Sequence, residues 1–310
     1  MYEPSLSLIV PVYNGRKYIQ HTLESLEALE GVLSCEFIFQ NANSSDGTTE
    51  ILNDFCSGHP NRFHHNERDD GQSHAINTGM ARARGRWVTW LCADDLILPN
   101  VARAIDEAEK QGADLVYGDV IFINGDRSSP AEGTESYQPG SLAKRRLIIQ
   151  QPGTCVLRKT WNEFQGVRQN LNWAMDYDLF LRMESAGRQF LRVRDFLAII
   201  RVHSEAKTSS GSIKRMVELW SIIFQSHKRR PVYIRLRPYV VYGLEFIIKF
   251  FESHRRKDAA RPVKAFLALL HRFFWMIAGP KEKHDIQQRF SSLPPEIDLL
   301  VAGLTNNKSL

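Results

Sequence analysis

Trp87-Val88-Thr89-Trp90-Leu91-Cys92-Ala93-Asp94-Asp95 is the stretch that decides the fold class of this chain. Its first five residues have the β-branched, aromatic and aliphatic character of a buried strand. Two carboxylates follow almost at once, and adjacent charges at a strand end repel unless a cation, donor groups or water offset them. Read alone, the pair fits two roles. It can be a helix N-cap and first-turn acid ahead of Pro99, or it can be a metal–diphosphate site.

On either side, short apolar runs alternate with helical patterns, the signature of a βαβ sheet. Leu6–Val10 reads as a strand ended by Pro11, and Ile19, Leu23, Leu26 and Leu29 then recur at helical spacing. Glu36–Phe39 is a second strand. A polar loop from Asn41 to Gly47 leads to a helix faced by Ile51, Leu52 and Phe55, with Asp46 as its N-cap. Gln72–Ala83 reads as a helix. Pro99 opens another, faced by Val101, Ala102, Ile105 and Ala108 and closed by Gly112. Leu115–Tyr117 and Val120–Ile123 read as strands, with a hairpin signal at Asn124-Gly125. The Ser-, Pro- and Gly-rich stretch Arg127–Gly140 reads as a loop, Met175–Ala186 as a helix capped by Gly187, and Gln189–Val202 as one or two strands.

The 310 residues suffice for one large domain, or for a medium one with an appendage. Charge divides the chain. Residues 1–210 hold 22 Lys+Arg against 27 Asp+Glu, and residues 211–310 hold 18 against 8. Cys35, Cys56, Cys92 and Cys155 are scattered without zinc-like spacing and read as small core residues in a reducing compartment. His59, His64 and His65 match no common metal motif and read as a solvated loop. Glu3 and Pro11 argue against a signal peptide, and no run reaches the roughly 20 apolar residues of a spanning helix. A cytoplasmic location is expected.

Polar loops follow the early strands at Pro11–Gly15, Asn41–Thr48 and Ala93–Asp95, the sheet edge where open α/β folds bind ligands. GxGxxG, Walker A, HExxH and GxSxG patterns are all missing, so the sequence supports no dinucleotide site, P-loop, zincin or α/β-hydrolase. Five segments in order resemble family-2 glycosyltransferases of the GT-A fold. They are Leu8–Gly15, Ser44–Thr48, Gly71–Gly79, Ala93–Asp95 and Met175–Arg182, and with their flanks they span about residues 5–208.

The resemblance implies an α/β catalytic domain over 1–210, a Rossmann-like and mostly parallel central sheet flanked by helices. Its donor part covers about 1–120 and its acceptor part about 121–210. It also implies a metal-dependent, inverting transfer from a nucleotide-sugar donor, UDP- or dTDP-linked, to a glycan or lipid-linked hydroxyl in cell-surface polysaccharide synthesis. On this resemblance Asp95 is the ligand of a divalent cation, Mn²⁺ or Mg²⁺, and His203 joins it at the metal or diphosphate. Asp94 faces the nucleotide, with Pro11, Tyr13, Asn41 and Asp70 around ribose and base, and Asp176 is the general base. Asp178 lies about 200° around the helix from Asp176, so the two cannot serve one acceptor. Tyr13 is equally compatible with a core position. Asn41 stands where relatives carry a base-binding aspartate, and His74 and Ile76 replace an aspartate and a phosphate-binding arginine.

Two other functions stay open on the residues alone. A nucleotidyltransferase is disfavoured by the absence of a Gly-rich basic loop after the first strand. A noncatalytic nucleotide-sugar-binding module is disfavoured by Asp94, Asp95 and Asp176.

Residues 211–310 form a basic, aromatic-rich helical region. Ile213, Met216, Val217, Trp220, Ile223 and Phe224 mark one amphipathic helix, and Val263–Ile277 another, with an apolar stretch at Tyr239–Phe251. Basic clusters at Lys228–Arg230, Arg235, Arg237 and Arg255–Lys257 suit an anionic membrane surface, placing the protein peripherally on the inner face. A helical cap on the catalytic domain or a homo-oligomer interface suits them equally. No motif points to nucleic acid.

Overall fold

The computed structural model describes residues 3–125, 127–130, 137–142, 149–207, 212–226 and 288–306. Its first half alternates β1 (Leu6–Val12), α1 (Ile19–Glu30), β2 (Cys35–Asn41), α2 (Thr48–Cys56), β3 (Arg62–Asn66), α3 (Gln72–Arg82) and β4 (Trp87–Trp90). There follow β5 (Leu96–Ile97), α4 (Val101–Gln111), β6 (Leu115–Asn124), β7 (Arg127–Pro130), β8 (Thr154–Leu157), α5 (Arg158–Glu163), α6 (Met175–Ser185) and β9 (Phe190–Arg201). Two later helices are α7 (Ser212–Ser226) and α8 (Pro295–Asn306). One sheet runs β3-β2-β1-β4-β8-β6-β9-β5, with β7 paired to β6. The β3-β2-β1-β4 half is parallel, β6 and β9 are parallel to each other, and β8 is antiparallel to both β4 and β6.

The period-2 alternation of strand side chains divides the core between two faces. Leu6, Leu8 and Val10 of β1, Phe37 and Phe39 of β2 and Trp87 of β4 pack with Ile19, Leu23 and Leu26 of α1 and Ile105 of α4. Ile9, Ile38, Val88 and Trp90 point the other way, onto Ile76 and Met80 of α3 and Leu179 and Phe180 of α6. With both faces covered, these strands carry apolar residues at nearly every position.

Pro11 does not end its strand. Val12 still accepts from Ala42 N on the β2 side, so Pro11 turns its nitrogen toward β4, whose pairing with β1 stops at Trp90. The missing N–H therefore costs no ladder bond. The two runs read as separate strands around Gly118 are one strand, β6, with a register shift at Gly118–Asp119 opposite β9. Arg127–Pro130, read as loop, continues the hairpin as β7, and Gly125 makes the turn at φ 61°. His64 and His65 lie in β3 rather than in a solvated loop. Gln189–Val202 resolves to the single long strand β9.

The described helices of the 211–310 region pack onto this core. Leu219, Ile222 and Ile223 of α7 join the α3–α6 face, and Ile297, Val301 and Leu304 of α8 cover Ile121, Phe196 and Ile199. The carboxylate of Asp119, fully buried in the β6 bulge, is ion-paired to Arg192 at 3.4 Å and to Arg289, so a charge pair also fixes this end. The sequence readings at Tyr239–Phe251, at Val263–Ile277 and at the basic clusters lie outside the described residues. Among the described residues no helix is long and apolar enough to cross a membrane.

Gly85 sits where the chain entering β4 crosses β1. A Cβ there would stand 2.5 Å from Ser7 N, a backbone atom held in the sheet. Gly85→Ala should lower stability by about 1–3 kcal/mol. Denaturant titration would show this as a reduced midpoint, and an unchanged midpoint would contradict the close approach.

Candidate active site

The carboxyl ends of β1, β2, β3, β4 and β9 all open onto one cleft of about 780 Å³. Its wall includes Pro11, Tyr13, Asn43, Asp69, Asp94, His203 and Lys207. Two loops are stitched together at its rim. Asn14, in the left-handed region at φ 49°, donates its N–H to Ser44 Oγ at 2.8 Å and accepts from Ser45 N at 3.0 Å. Arg16 N donates to Asp46 Oδ2 at 3.0 Å and Asp46 Oδ1 accepts from Thr48 N at 3.1 Å, but the N-cap of α2 is the left-handed Gly47, one residue past the Asp46 expected.

The Cys92–Asp95 turn follows β4, closed by Asp95 N donating to Cys92 O at 3.1 Å. The buried Thr22 hydroxyl of α1 lies 2.9 Å from the carbonyls of both Ala93 and Asp95, anchoring the turn from below. The two carboxylates then diverge. Asp95 is 6% exposed and its Oδ1 accepts from Arg201 N at 3.0 Å. Burial, and then the charge of Asp94, push the Asp95 carboxyl well above the ordinary carboxylate range, against the pull of Arg201. Asp94 is half-buried, and its Oδ2 lies 2.9 Å from His203 Nε2. The His203 ring packs on Tyr18, with centroids 4.4 Å apart.

Compensation for the pair comes from the end of β9. The buried Arg201 guanidinium has no hydrogen-bond partner among the described residues and sits 5.7 Å from the Tyr18 ring. Burial lowers its proton affinity, and the charges of Asp95 and Asp94 restore part of it. Its contribution to the pair is therefore Coulombic. Cys92 adds a third group: its Sγ and one oxygen each of Asp94 and Asp95 lie within 4.8 Å of one another. Gln72, opening α3, donates to Cys92 Sγ at 3.2 Å and accepts from Lys207 Nζ at 2.9 Å. An ammonium is thereby held at the cleft wall.

A second cleft, of about 440 Å³, lies behind the first and shares Gln72, Cys92, Asp94 and Lys207 with it. Asp95, Trp173, Asp176 and Arg215 also line it. Asp176 is the second residue of α6, and burial raises its proton affinity, opposed by the Tyr177 N–H and by Arg215. Asp178 points away from the cleft, ion-paired to Arg168 at 2.9 Å and to Arg182 at 2.8 Å.

Several expectations change on this geometry. Asn41 is fully buried and absent from the cleft wall. Its Oδ1 accepts from Ser44 N and Oγ, and its Nδ2 contacts Thr49 Oγ1 at 2.9 Å and His64 Nε2 at 3.3 Å, so it supports the loop instead of meeting a base. Asp70 is exposed off the wall, and its neighbour Asp69 takes the lining position. Tyr13 is 70% exposed at the rim, which removes its core alternative. Asp95 lies off the first cleft, which Asp94 and His203 line together. Ile76 is core, so that position offers no side chain to a phosphate. Cys92, Gln72, Lys207 and Arg201 went unassigned on sequence. For the last two the available signal was a cluster of cations flanking His203.

The family model of Glycosyl transferase family 2 matches residues 7–173, more than half of the chain. The chain belongs to glycosyl transferase family 2. A chondroitin synthase of Escherichia coli is 28% identical over 192 residues, 59% of this chain and 27% of that protein. A PGL/p-HBAD biosynthesis glycosyltransferase of Mycobacterium bovis is 35% identical over 128 residues, 39% of this chain and 49% of that one. The matched regions thus span less than half of each of these relatives. Among solved structures, S. aureus TarS 1-349 in complex with UDP-GlcNAc superposes with a TM-score of 0.60 at 16% identity, covering 89% of this chain and 82% of that one. The mannosyltransferase PcManGT from Pyrobaculum calidifontis, in complex with GDP-Man and Mn²⁺, gives 0.51 at 16% identity, covering 98% and 80%. The fold of the chain is therefore GT-A, and Asp176, His203 and Lys207 lie beyond the residues the family model matches.

Removing the Asn41 amide would take their buried partner from the half-buried Ser44 and Thr49. Asn41→Ala is expected to cost about 1–3 kcal/mol of stability. A chemical-denaturation curve like that of the parent would return Asn41 to a role in binding.

Proposed function

We propose that this glycosyltransferase moves a sugar from a nucleotide-sugar donor, UDP- or dTDP-linked, to a hydroxyl of a glycan or lipid-linked acceptor, with inversion at the anomeric carbon. The observation that carries this reading is that Asp94 and Lys207 line both clefts while Asp176 lines the second alone. The junction at Asp94 and Lys207 suits a diphosphate, and the space beside Asp176 suits an acceptor hydroxyl.

The donor groups fit a divalent cation: a half-exposed carboxylate against an imidazole nitrogen, a second carboxylate and a thiol close by, and more negative charge than the surroundings neutralise. We assign Mn²⁺ or Mg²⁺ to Asp94 with His203. Asp95, its oxygen already engaged by Arg201 N, holds the turn. The cation thus moves from Asp95, where the resemblance put it, to its neighbour Asp94. When bound, such a cation offsets the negative charge that develops on the departing diphosphate. Lys207 adds a positive charge at the same junction. Rim residues Pro11, Tyr13, Asn43 and Asp69 are left to hold ribose and base.

Asp176 accepts the proton of the acceptor hydroxyl. The oxygen then forms a bond to the anomeric carbon as the bond to the diphosphate oxygen breaks, and one in-line displacement inverts the configuration. Residues 1–210 carry this chemistry, with α7 and α8 as helical supports. The basic, aromatic composition of 211–310 supports peripheral contact with an anionic membrane at which a lipid-linked acceptor resides.

A donor screen that measures nucleoside diphosphate release should find activity that depends on Mn²⁺ or Mg²⁺. Asp94→Asn should abolish that dependence, and Asp176→Asn should lower kcat about 10²–10⁴-fold. Because the base must be ionised and burial raises its proton affinity, kcat/KM should rise with pH along a limb centred above the ordinary Asp value of about 4. Metal-independent release, or normal turnover by Asp176→Asn, would overturn the assignment.

A further inference from the structure

The helix α7 follows the matched family region and the catalytic strands, yet one of its carboxylates reaches the start of α6. Glu218 Oε1 accepts from Asn172 N at 2.6 Å, and its Oε2 accepts from Trp173 N at 2.7 Å and from Ala174 N at 3.0 Å. Ala174 is the N-cap of α6 and has no side-chain cap of its own. A helix N-terminus presents N–H groups without intrahelical partners and a positive dipole end, and an anion there meets both needs. Here the anion comes from 44 residues further along the chain, borne on a helix whose Leu219, Ile222 and Ile223 share a core with Leu179 and Phe180 of α6.

We propose that Glu218 is a positioning residue for the acceptor-side base: by fastening the Asn172–Ala174 backbone it sets the start of α6 and aims Asp176 into the second cleft. The inference rests on the reading of Asp176 as the base. Asp176 is only two residues past Ala174, so a shift of this backbone moves its carboxylate directly. Trp173, in the same clamp, lines the cleft and donates its indole N–H to Lys207 O at 3.3 Å. Glu218 therefore also holds the wall that carries Lys207.

Arg215 and Glu218 face Asp176 from α7, Lys207 from the segment after β9, and Asp94 and Asp95 from across the cleft. The Glu218 charge favours the protonated form of Asp176, and Arg215 opposes it. Neutralising Glu218 must then ease deprotonation of the base while loosening its placement. A purely structural carboxylate would not produce that combination.

The test uses the full chain with Glu218→Gln, Glu218→Asp and Asp176→Asn, measuring kcat, donor KM, the pH profile of kcat/KM and thermal melting. Glu218→Gln turns an amide NH₂ toward N–H donors. It should lower kcat at least tenfold with donor KM within about twofold, and move the acidic limb to lower pH. Glu218→Asp keeps the charge on a shorter arm, so kcat should fall while the limb stays in place. Wild-type kcat in Glu218→Gln, or a loss of kcat and melting temperature with the limb unmoved, would overturn the proposal. Should Glu218→Gln fail to fold, Glu218→Asp decides: reduced kcat at unchanged donor KM supports the role, and wild-type kcat removes it. An active Asp176→Asn variant would instead sink the base assignment on which the inference rests. An inactive Asp176→Asn beside an unaltered Glu218→Gln would remove the role of Glu218 alone.

Discussion

Two adjacent carboxylates at the end of a buried strand are the constraint around which this molecule is arranged. Asp94 and Asp95 cannot both be ionised in a low-dielectric turn without compensation, and it arrives from β9, far away in sequence. The Arg201 backbone N–H takes Asp95, its guanidinium supplies charge to both, and His203 takes Asp94. To deliver these groups β9 must run parallel to β6 and reach the same sheet edge as β4, with the short antiparallel β8 between β4 and β6. The sheet order and the charge balance of the site are therefore one problem with one solution.

Repulsion that is only partly offset is also what makes the site useful. A fully neutralised pair would have little to gain from a cation, whereas Asp94 keeps a partly exposed carboxylate at the meeting of two clefts. The two clefts share Gln72, Cys92, Asp94 and Lys207, so groups bound on either side of this wall would be brought near one another. The second cleft is lined from α6 and α7 as well as from the β4 turn. An α7 carboxylate closes the helix that bears Asp176, so the region beyond the matched family sequence takes part in building the site.

The parallel half of the fold was legible because both of its faces are buried. Continuous apolar strands and 3.6-period helices leave plain patterns at Leu6–Val10, Phe37–Phe39 and Trp87–Leu91. What escaped reading was decided by tertiary pairing. β5 and β7 are two and four residues long and exist because β9 and β6 lie beside them, while β3 carries the polar run Arg62–Asn66. Pro11 continues β1 because its nitrogen faces away from β2, a direction that its place in the sequence does not carry. At the site, the motif residues were found but not their directions. Asp70 and Asp95 stand off the wall of the first cleft while their neighbours Asp69 and Asp94 line it, a difference of one residue that a strand-end turn can reverse. Lys207 and Glu218 act through contacts with Gln72 and with the Asn172–Ala174 backbone, and spacing along the chain carries no trace of those contacts.

The central claim is that Asp94 with His203, not Asp95, holds the cation and with it the diphosphate. The most direct measurement is a crystal structure of the full chain with Mn²⁺ and UDP. An anomalous manganese peak in contact with Asp94 and His203, with the diphosphate between that cation and Lys207, is the predicted result. Manganese on Asp95 without Asp94, or a diphosphate bound outside the cleft formed by the β1, β2 and β4 loops, would contradict it.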